Sequence, residues 1–163
     1  MEAVIVRIQP YDSGQLDAVV QLSIRAWAPV FESLQAIMDS EVYREFFPDW
    51  RASQEEAVKS ACAAQDTHVW VAIDGGSTVG FVAVKFHRQS NMGEIHMIAV
   101  DPDYHRGGIG TALTEFALER MKEAGAAVAM VETGGDPGHA PARRLYEKAG
   151  FSLLPVARYF KKL

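Results

Sequence analysis

Three stretches of this sequence carry residue types at spacings that can do chemistry. After the polar turn Asp101-Pro102-Asp103-Tyr104 come Gly107-Gly108-Ile109-Gly110, at the head of a helical repeat in Leu113, Phe116, Ala117 and Met121. Glycines at a helix start leave outward N–H groups at the positive end of the dipole, a cradle for phosphate. Two standard phosphate loops are excluded. A dinucleotide fingerprint begun at Gly108 needs glycine or alanine where Leu113 stands, and a P-loop needs lysine after the last glycine, where Thr111 stands. Just upstream, Gly93 to Val100 alternates as a strand, with Glu94, His96 and Ile98 expected on one face and Ile95, Met97 and Ala99 on the other. A carboxylate and an imidazole of intrinsic pKa ~6.5 on one strand are candidates for proton transfer. The third stretch is the loop Gly134-Gly135-Asp136-Pro137-Gly138 and the helix after it, which ends at Gly150.

The run Val100 to Leu113 resembles the pyrophosphate-binding motif of the GNAT superfamily of acyl-CoA-dependent N-acetyltransferases, Q/R-x-x-G-x-G/A. Gly108 and Gly110 match, and His105 stands where Gln or Arg is usual. The run His139-Ala140-Pro141-Ala142-Arg143-Arg144-Leu145-Tyr146-Glu147-Lys148-Ala149-Gly150-Phe151 is similar to the second signature of that family, N-x-x-A-x-x-L-Y-E-K-x-G-F, with His139 in place of the usual Asn. The likeness covers residues 79–160.

The resemblance implies an α/β (α+β) fold with a mixed, mostly antiparallel sheet of about seven strands and helices on both faces. It implies transfer of an acetyl group from acetyl-CoA to the amine of a small molecule or peptide. Protein N-terminal or lysine acetylation, or noncatalytic acyl-CoA sensing on the same fold, are the alternatives. Glu94 aligns with the base of some members, directly or through a held water; His96 is a second candidate base or a pocket lining, and Glu132 a weaker one. Tyr146 matches the tyrosine that acts as acid toward the departing sulfur. Backbone groups of Ile98, Ala99 and Val100 would pair with the pantetheine arm. His105, Arg106, Gly107, Gly108, Ile109, Gly110 and Thr111 would carry the pyrophosphate, and His139 would sit at a cofactor contact. Arg143, Arg144 and Lys148 are candidates for the nucleotide end. The family also makes a homodimer an expectation.

These groups need a frame. Val4 to Ile8 reads as a first strand. Asp12 or Ser13 caps a helix with Leu16, Val19, Val20, Ile24 and Trp27 at helical spacing, which Pro29 is expected to interrupt. Ser40 starts a short helix ended by Pro48, and Ser53 to Glu56 reads as a capping box before an alanine-rich helix, Ala57 to Ala64. Thr67 to Ile73 and Thr78 to Phe86 form a hairpin through Asp74-Gly75-Gly76. Val128 to Thr133 is a further strand, and Phe151 to Leu154 and Ala157 to Phe160 are expected as two closing strands around Pro155. The aromatic residues between Trp27 and Trp50 mark the expected acceptor pocket, with Trp27, Phe31 and Trp50 able to offer faces to a cation or a hydrophobic group.

At 163 residues and 48% hydrophobic content the chain reads as one globular domain, 1–163, with an acceptor-side half (1–92) and an acyl-CoA half (93–163). The net charge of −5 counts against a nucleic-acid or anionic-membrane surface. Residues 1–92 hold 7 Lys plus Arg and 12 Asp plus Glu, whereas residues 93–163 hold 9 of each, so the acidity lies on the acceptor side. The single cysteine, Cys62, permits no intrachain disulfide and no zinc-binding cysteine cluster; no metal is expected. Without a signal sequence or a long apolar run, the expectation is a cytoplasmic protein.

Overall fold

The computed structural model describes residues 5–105 and 107–163. Five strands form one sheet in chain order: β1 (Arg7–Pro10), β2 (Thr67–Asp74), β3 (Ser77–His87), β4 (Met92–Val100) and β5 (Val128–Val131). The first four are antiparallel neighbours, and β5 joins β4 in parallel. The β2–β3 turn is the expected one: Gly75 and Gly76 take φ of 53° and 86°, the left-handed geometry of a tight hairpin.

The helices are α1 (Leu16–Ile37), α2 (Ser40–Phe46), α3 (Trp50–Ala63), α4 (Ile109–Glu123) and α5 (Ala140–Lys148). On one face of the sheet Ile109, Leu113, Ala117 and Met121 of α4 pack on Val82, Val84 and Ile95. On the other, Val19, Val20 and Leu22 of α1 and Val58 of α3 pack on Val71, Phe81 and Ala99. Apolar strand residues therefore face a helix layer on both sides, as a two-sided sheet requires. Among the described residues no helix is long and apolar enough to cross a membrane.

Several expectations need correction. Pro29 lies inside α1, which runs on to Ile37. Proline removes one helical bond, but the half-helix beyond it is held from outside: Phe31 stacks on Trp50 with ring centroids 4.6 Å apart, and Ser33 bonds to Asp136. The third helix begins at Trp50, not Ala57, because Asp49 accepts from the Ala52 N–H at 3.1 Å and takes the cap role assigned to Ser53. The first strand is Arg7–Pro10 rather than Val4 to Ile8, and Val4 lies outside the described residues. Among the described residues the sheet has five strands, not about seven, since residues 151–163 form none.

The most consequential correction concerns β4. The β3–β4 register passes from Ala83↔Met97 to Val84↔Ile95, so His96 is an extra residue in a bulge. Ile95 and Ile98 both pack on the α4 side, while Met97 and Ala99 pack on the α1 side. A β-carbon at Gly93 would fall 2.4 Å from Cγ of Met121 on α4, so Gly93 also faces α4. Glu94, between Gly93 and Ile95, points to the α1 side with Met97 and Ala99. Glu94, His96 and Ile98 do not share a face.

Candidate active site

The parallel pairing of β4 with β5 ends at Ile95↔Val131, whereas β4 continues to Val100. From His96 to Val100 the edge of β4 turned toward β5 is therefore unpaired among the described residues. Its free N–H and C=O groups suit an extended amide-bearing ligand added as a strand, and Ile98, Ala99 and Val100 lie on this edge.

The strand leads into a turn organised by Asp101. This carboxylate is 8% exposed, accepts the Asp103 N–H at 3.0 Å and pairs with Arg25 of α1. Next come His105, which is exposed, and Arg106, which lies outside the described residues. Gly108 takes φ of 75° at the N-cap of α4 and supplies no side chain to the first-turn N–H groups. That geometry needs a residue that tolerates the left-handed region. With no cap, the donors at the start of this 15-residue helix stay available to an anion. Ile109 anchors the turn in the core at 1% exposure. A β-carbon at Gly110 would meet Leu145 of α5 only at 3.5 Å, an ordinary contact, so the glycine-or-alanine choice at this position has a steric basis. Open space at Gly108 and the uncapped first-turn donors of α4 follow in sequence on the free β4 edge.

Leu145 brings α5 against this helix start, and Tyr146 follows it. Tyr146 is 8% exposed, its ring meets Phe151 edge-on, and burial pushes its phenol up to about 12. Its hydroxyl has no hydrogen-bond partner among the described residues.

Glu94 sits opposite Lys85 on β3, and the His87 ring donates from Nε2 to its Oε2 at 2.7 Å. The Glu94 side chain is 20% exposed, so its contact with His87 is partly shielded from water. His96, exposed in the bulge, has its pKa lowered by partial desolvation and then by the nearby Lys85, with Glu94 and Asp66 opposing. Glu132 follows the end of β5 and is exposed.

A second network holds His139. Asp136, 6% exposed, accepts from Ser33 of α1 at 2.7 Å and from the Gly138 N–H at 3.1 Å, and pairs with Nδ1 of His139. Burial alone would push the Asp136 carboxyl up, but the bonds from Ser33 and His139 outweigh it and hold it below the usual carboxylate value. Arg143 donates to the carbonyls of Gly134 and Asp136, at 2.6 and 2.8 Å, closing the loop over the dyad. A β-carbon at Gly134 would fall 2.5 Å from Nδ1 of His139, and one at Gly138 would fall 2.6 Å from Cβ of Ser33. Both glycines exist to let this network close. Asp136 binds Nδ1, so Nε2 is the ring atom left to face outward.

Trp27 packs partly buried on the α1-side core. Phe31 is 7% exposed, stacked on Trp50 with the edge of Phe47 at 5.2 Å, so it presents little ring surface to a ligand. Sequence reasoning missed His87, Ser33 and Asp136. His87 stands seven residues before Glu94 across a turn, a spacing readable only with the strand register; Ser33 and Asp136 are 103 residues apart and carry no local signal.

Residues 31–151 match the acetyltransferase (GNAT) family. A mycothiol acetyltransferase of Nocardiopsis dassonvillei is 31% identical over 156 residues, covering 91% of this chain and 43% of that protein; the chain spans less than half the length of such curated relatives. The fold is shared with the ribosomal-protein-S18-alanine N-acetyltransferase of Escherichia coli (22% identity, TM-score 0.68, 93% of this chain and 80% of that one). It is shared too with PaiA N-acetyltransferase of Thermoplasma acidophilum, solved with coenzyme A (16% identity, TM-score 0.69, 94% and 93%). With both signature runs inside the matched span and the strand–glycine turn–helix track they build, this chain belongs to the acetyltransferase (GNAT) family.

Proposed function

We propose that the protein transfers an acetyl group from acetyl-CoA to a primary amine of a small molecule or peptide. The observation that carries this reading is the open β4 edge running from His96 to Val100 into the uncapped glycine start of α4. Ile98, Ala99 and Val100 hold the pantetheine arm through their backbone, and His105 to Thr111 the pyrophosphate, Arg106 included as the family motif suggests. His139, oriented by Asp136, contacts the cofactor from the α5 side.

An alkylamine of pKa ~10 is almost wholly protonated at neutral pH and must lose a proton before it can attack. Glu94, directly or through a water, takes that proton, and His87 keeps its carboxylate oriented. The new C–N bond forms at the thioester carbon, a β4 backbone N–H steadies the oxyanion, and the C–S bond breaks. Tyr146 meets the leaving sulfur. A phenol at about 12 is a weaker acid than a thiol near ~8.5, so complete proton transfer to a free thiolate is uphill. Tyr146 therefore acts as a hydrogen-bond donor to the charge building on sulfur, passing its proton only as another is delivered to it. This replaces the simple picture of an acid discharging into a thiolate.

The acceptor enters from the half built by residues 1–92, where the net negative charge lies, which favours a cationic amine. Saturating acetyl-CoA is expected to stabilise the fold by about 2–3 kcal/mol in thermal unfolding, with NADH and ATP giving none of this. No shift with any acyl-CoA overturns the reading. Release of free thiol with a panel of amines then separates the enzyme from a sensor, for which binding without turnover on every amine is the signature.

A further inference from the structure

Tyr146 can help the sulfur leave only if its own proton is replaced. Its phenol, pushed up to about 12 by burial, releases a proton only as another arrives. The supplier must itself gain and lose protons near neutral pH, which an imidazole, at ~6.5 unperturbed, does and most side chains do not.

The helix that carries Tyr146 holds such a group. His139 is the N-cap residue of α5, seven positions before Tyr146. Seven residues are two helical turns, so the two side chains share a face about 10.5 Å apart along the axis. Aromatic side chains on helices lean toward the N-terminus, a direction that takes the phenol toward His139. Neither the Tyr146 hydroxyl nor Nε2 of His139 has a hydrogen-bond partner among the described residues, although Tyr146 is 8% exposed and the His139 side chain 19%.

The other ring nitrogen is fixed. Nδ1 pairs with Asp136, a carboxylate tied in turn by the Ser33 hydroxyl of α1 at 2.7 Å and the Gly138 N–H at 3.1 Å. A buried carboxylate on Nδ1 holds one tautomer and leaves Nε2 to carry the exchangeable proton. Arg143 of α5 adds a positive charge, its guanidinium bonded to the carbonyls of Gly134 and Asp136, while Ser33 of α1 is neutral; His139–Asp136 is the one ion pair of this loop and helix among the described residues. The family signature has Asn where His139 stands, and an amide can contact a cofactor but cannot gain or lose a proton.

We propose that His139, held by Asp136, is the relay that returns a proton to Tyr146 as coenzyme A leaves; the relay rests on the acetyl-transfer function proposed above. The C–S bond breaks with its electron pair going to sulfur, and the Tyr146 O–H proton passes to that sulfur. The His139 imidazolium gives its Nε2 proton, through one water, to the phenoxide oxygen, and is left neutral with Nδ1–H still on Asp136. Counted from the neutral amine, nitrogen loses one proton to solvent by way of Glu94 and sulfur gains one. The balance closes when His139 takes up a proton from solvent.

The test uses the full chain and two readouts. In a histidine NMR titration, which needs no acceptor, the His139 midpoint with saturating coenzyme A is expected to differ by at least about 0.3 pH unit from that with desulfo-coenzyme A, because thiol and ring titrate as a coupled pair through Tyr146. The difference is expected to vanish in Tyr146→Phe. In turnover, His139→Asn keeps a cofactor contact but no proton, so kcat is expected to fall about tenfold or more with KM for acetyl-CoA within about threefold, and the alkaline limb of the kcat–pH profile is expected to disappear. A ring that only seats the cofactor would change KM and leave that limb in place. No binding of coenzyme A overturns the acetyl-transfer function, and the relay with it. Binding with a His139 midpoint indifferent to the thiol overturns the relay alone, as does His139→Asn with wild-type kcat and an unchanged pH profile.

Discussion

His87 donates from Nε2 to Oε2 of Glu94 at 2.7 Å, joining the end of β3 to the start of β4 on the α1 side of the sheet. The candidate base is thus held by a neighbour that sequence alone does not nominate. Glu94→Gln is expected to lower kcat by about 10²-fold or more, the loss of a positioned base, with KM for acetyl-CoA nearly unchanged. His87→Ala, which leaves the carboxylate but removes its partner, is expected to cost about three- to tenfold in kcat. Steady-state kinetics with a reactive amine checks both, and wild-type turnover in Glu94→Gln removes it from the base role.

Tyr146→Phe is expected to reduce kcat by one to two orders of magnitude, about 1.5–3 kcal/mol of transition-state stabilisation, while acetyl-CoA affinity survives. The same variant has an alkaline signature. Because burial raises the phenol to about 12, the unfolded chain ionises first; the advantage of keeping the phenol neutral is whole below pH ~10 and is lost as pH rises toward 12. Wild-type stability should therefore fall by about 2–3 kcal/mol more than that of Tyr146→Phe across this window, read by denaturant titration.

Asp136→Asn can keep an oxygen toward Ser33 and the Gly138 N–H only by turning its NH2 toward Nδ1 of His139, losing the charged pair there, and is expected to destabilise the protein by about 1–3 kcal/mol. The native Asp136 pKa is depressed below 3.8, so its stabilisation is present above that value and disappears as pH falls through the folded-state pKa. The acid limb of the unfolding curve should be shallower in the variant. Ser33→Ala, which loosens the same carboxylate from α1, is expected to raise KM for acetyl-CoA more than it lowers kcat, because it disturbs the seat of His139.

Gly93→Ala places a methyl 2.4 Å from Cγ and 3.0 Å from Cβ of Met121, itself 2% exposed. The expected cost is about 1–3 kcal/mol, with part recovered in Gly93→Ala/Met121→Ala. Gly110→Ala, with only ordinary contacts, should leave stability and acetyl-CoA binding almost unchanged, whereas Gly108→Ala strains a φ of 75° and should weaken both. Melting curves with and without acetyl-CoA measure all of these.

Where signals are local, the sequence was sufficient. The Asp74-Gly75-Gly76 turn, the glycine start of α4 and the left-handed stops at Gly125 and Gly150 follow from backbone sterics within a few residues. Both family signatures are likewise contiguous runs. Tertiary structure decided what depends on distant partners. α1 survives Pro29 because Phe31 and Ser33 find Trp50 and Asp136. The face of Glu94 is the clearest case. Alternation along β4 puts it with His96 and Ile98, but strand pairing inserts His96 as a bulge, and one unpaired residue reverses every side chain on one side of it relative to the other. Sequence identified the residues able to do the chemistry; only pairing between strands decided which of them face the same space, since register is a property of two segments together.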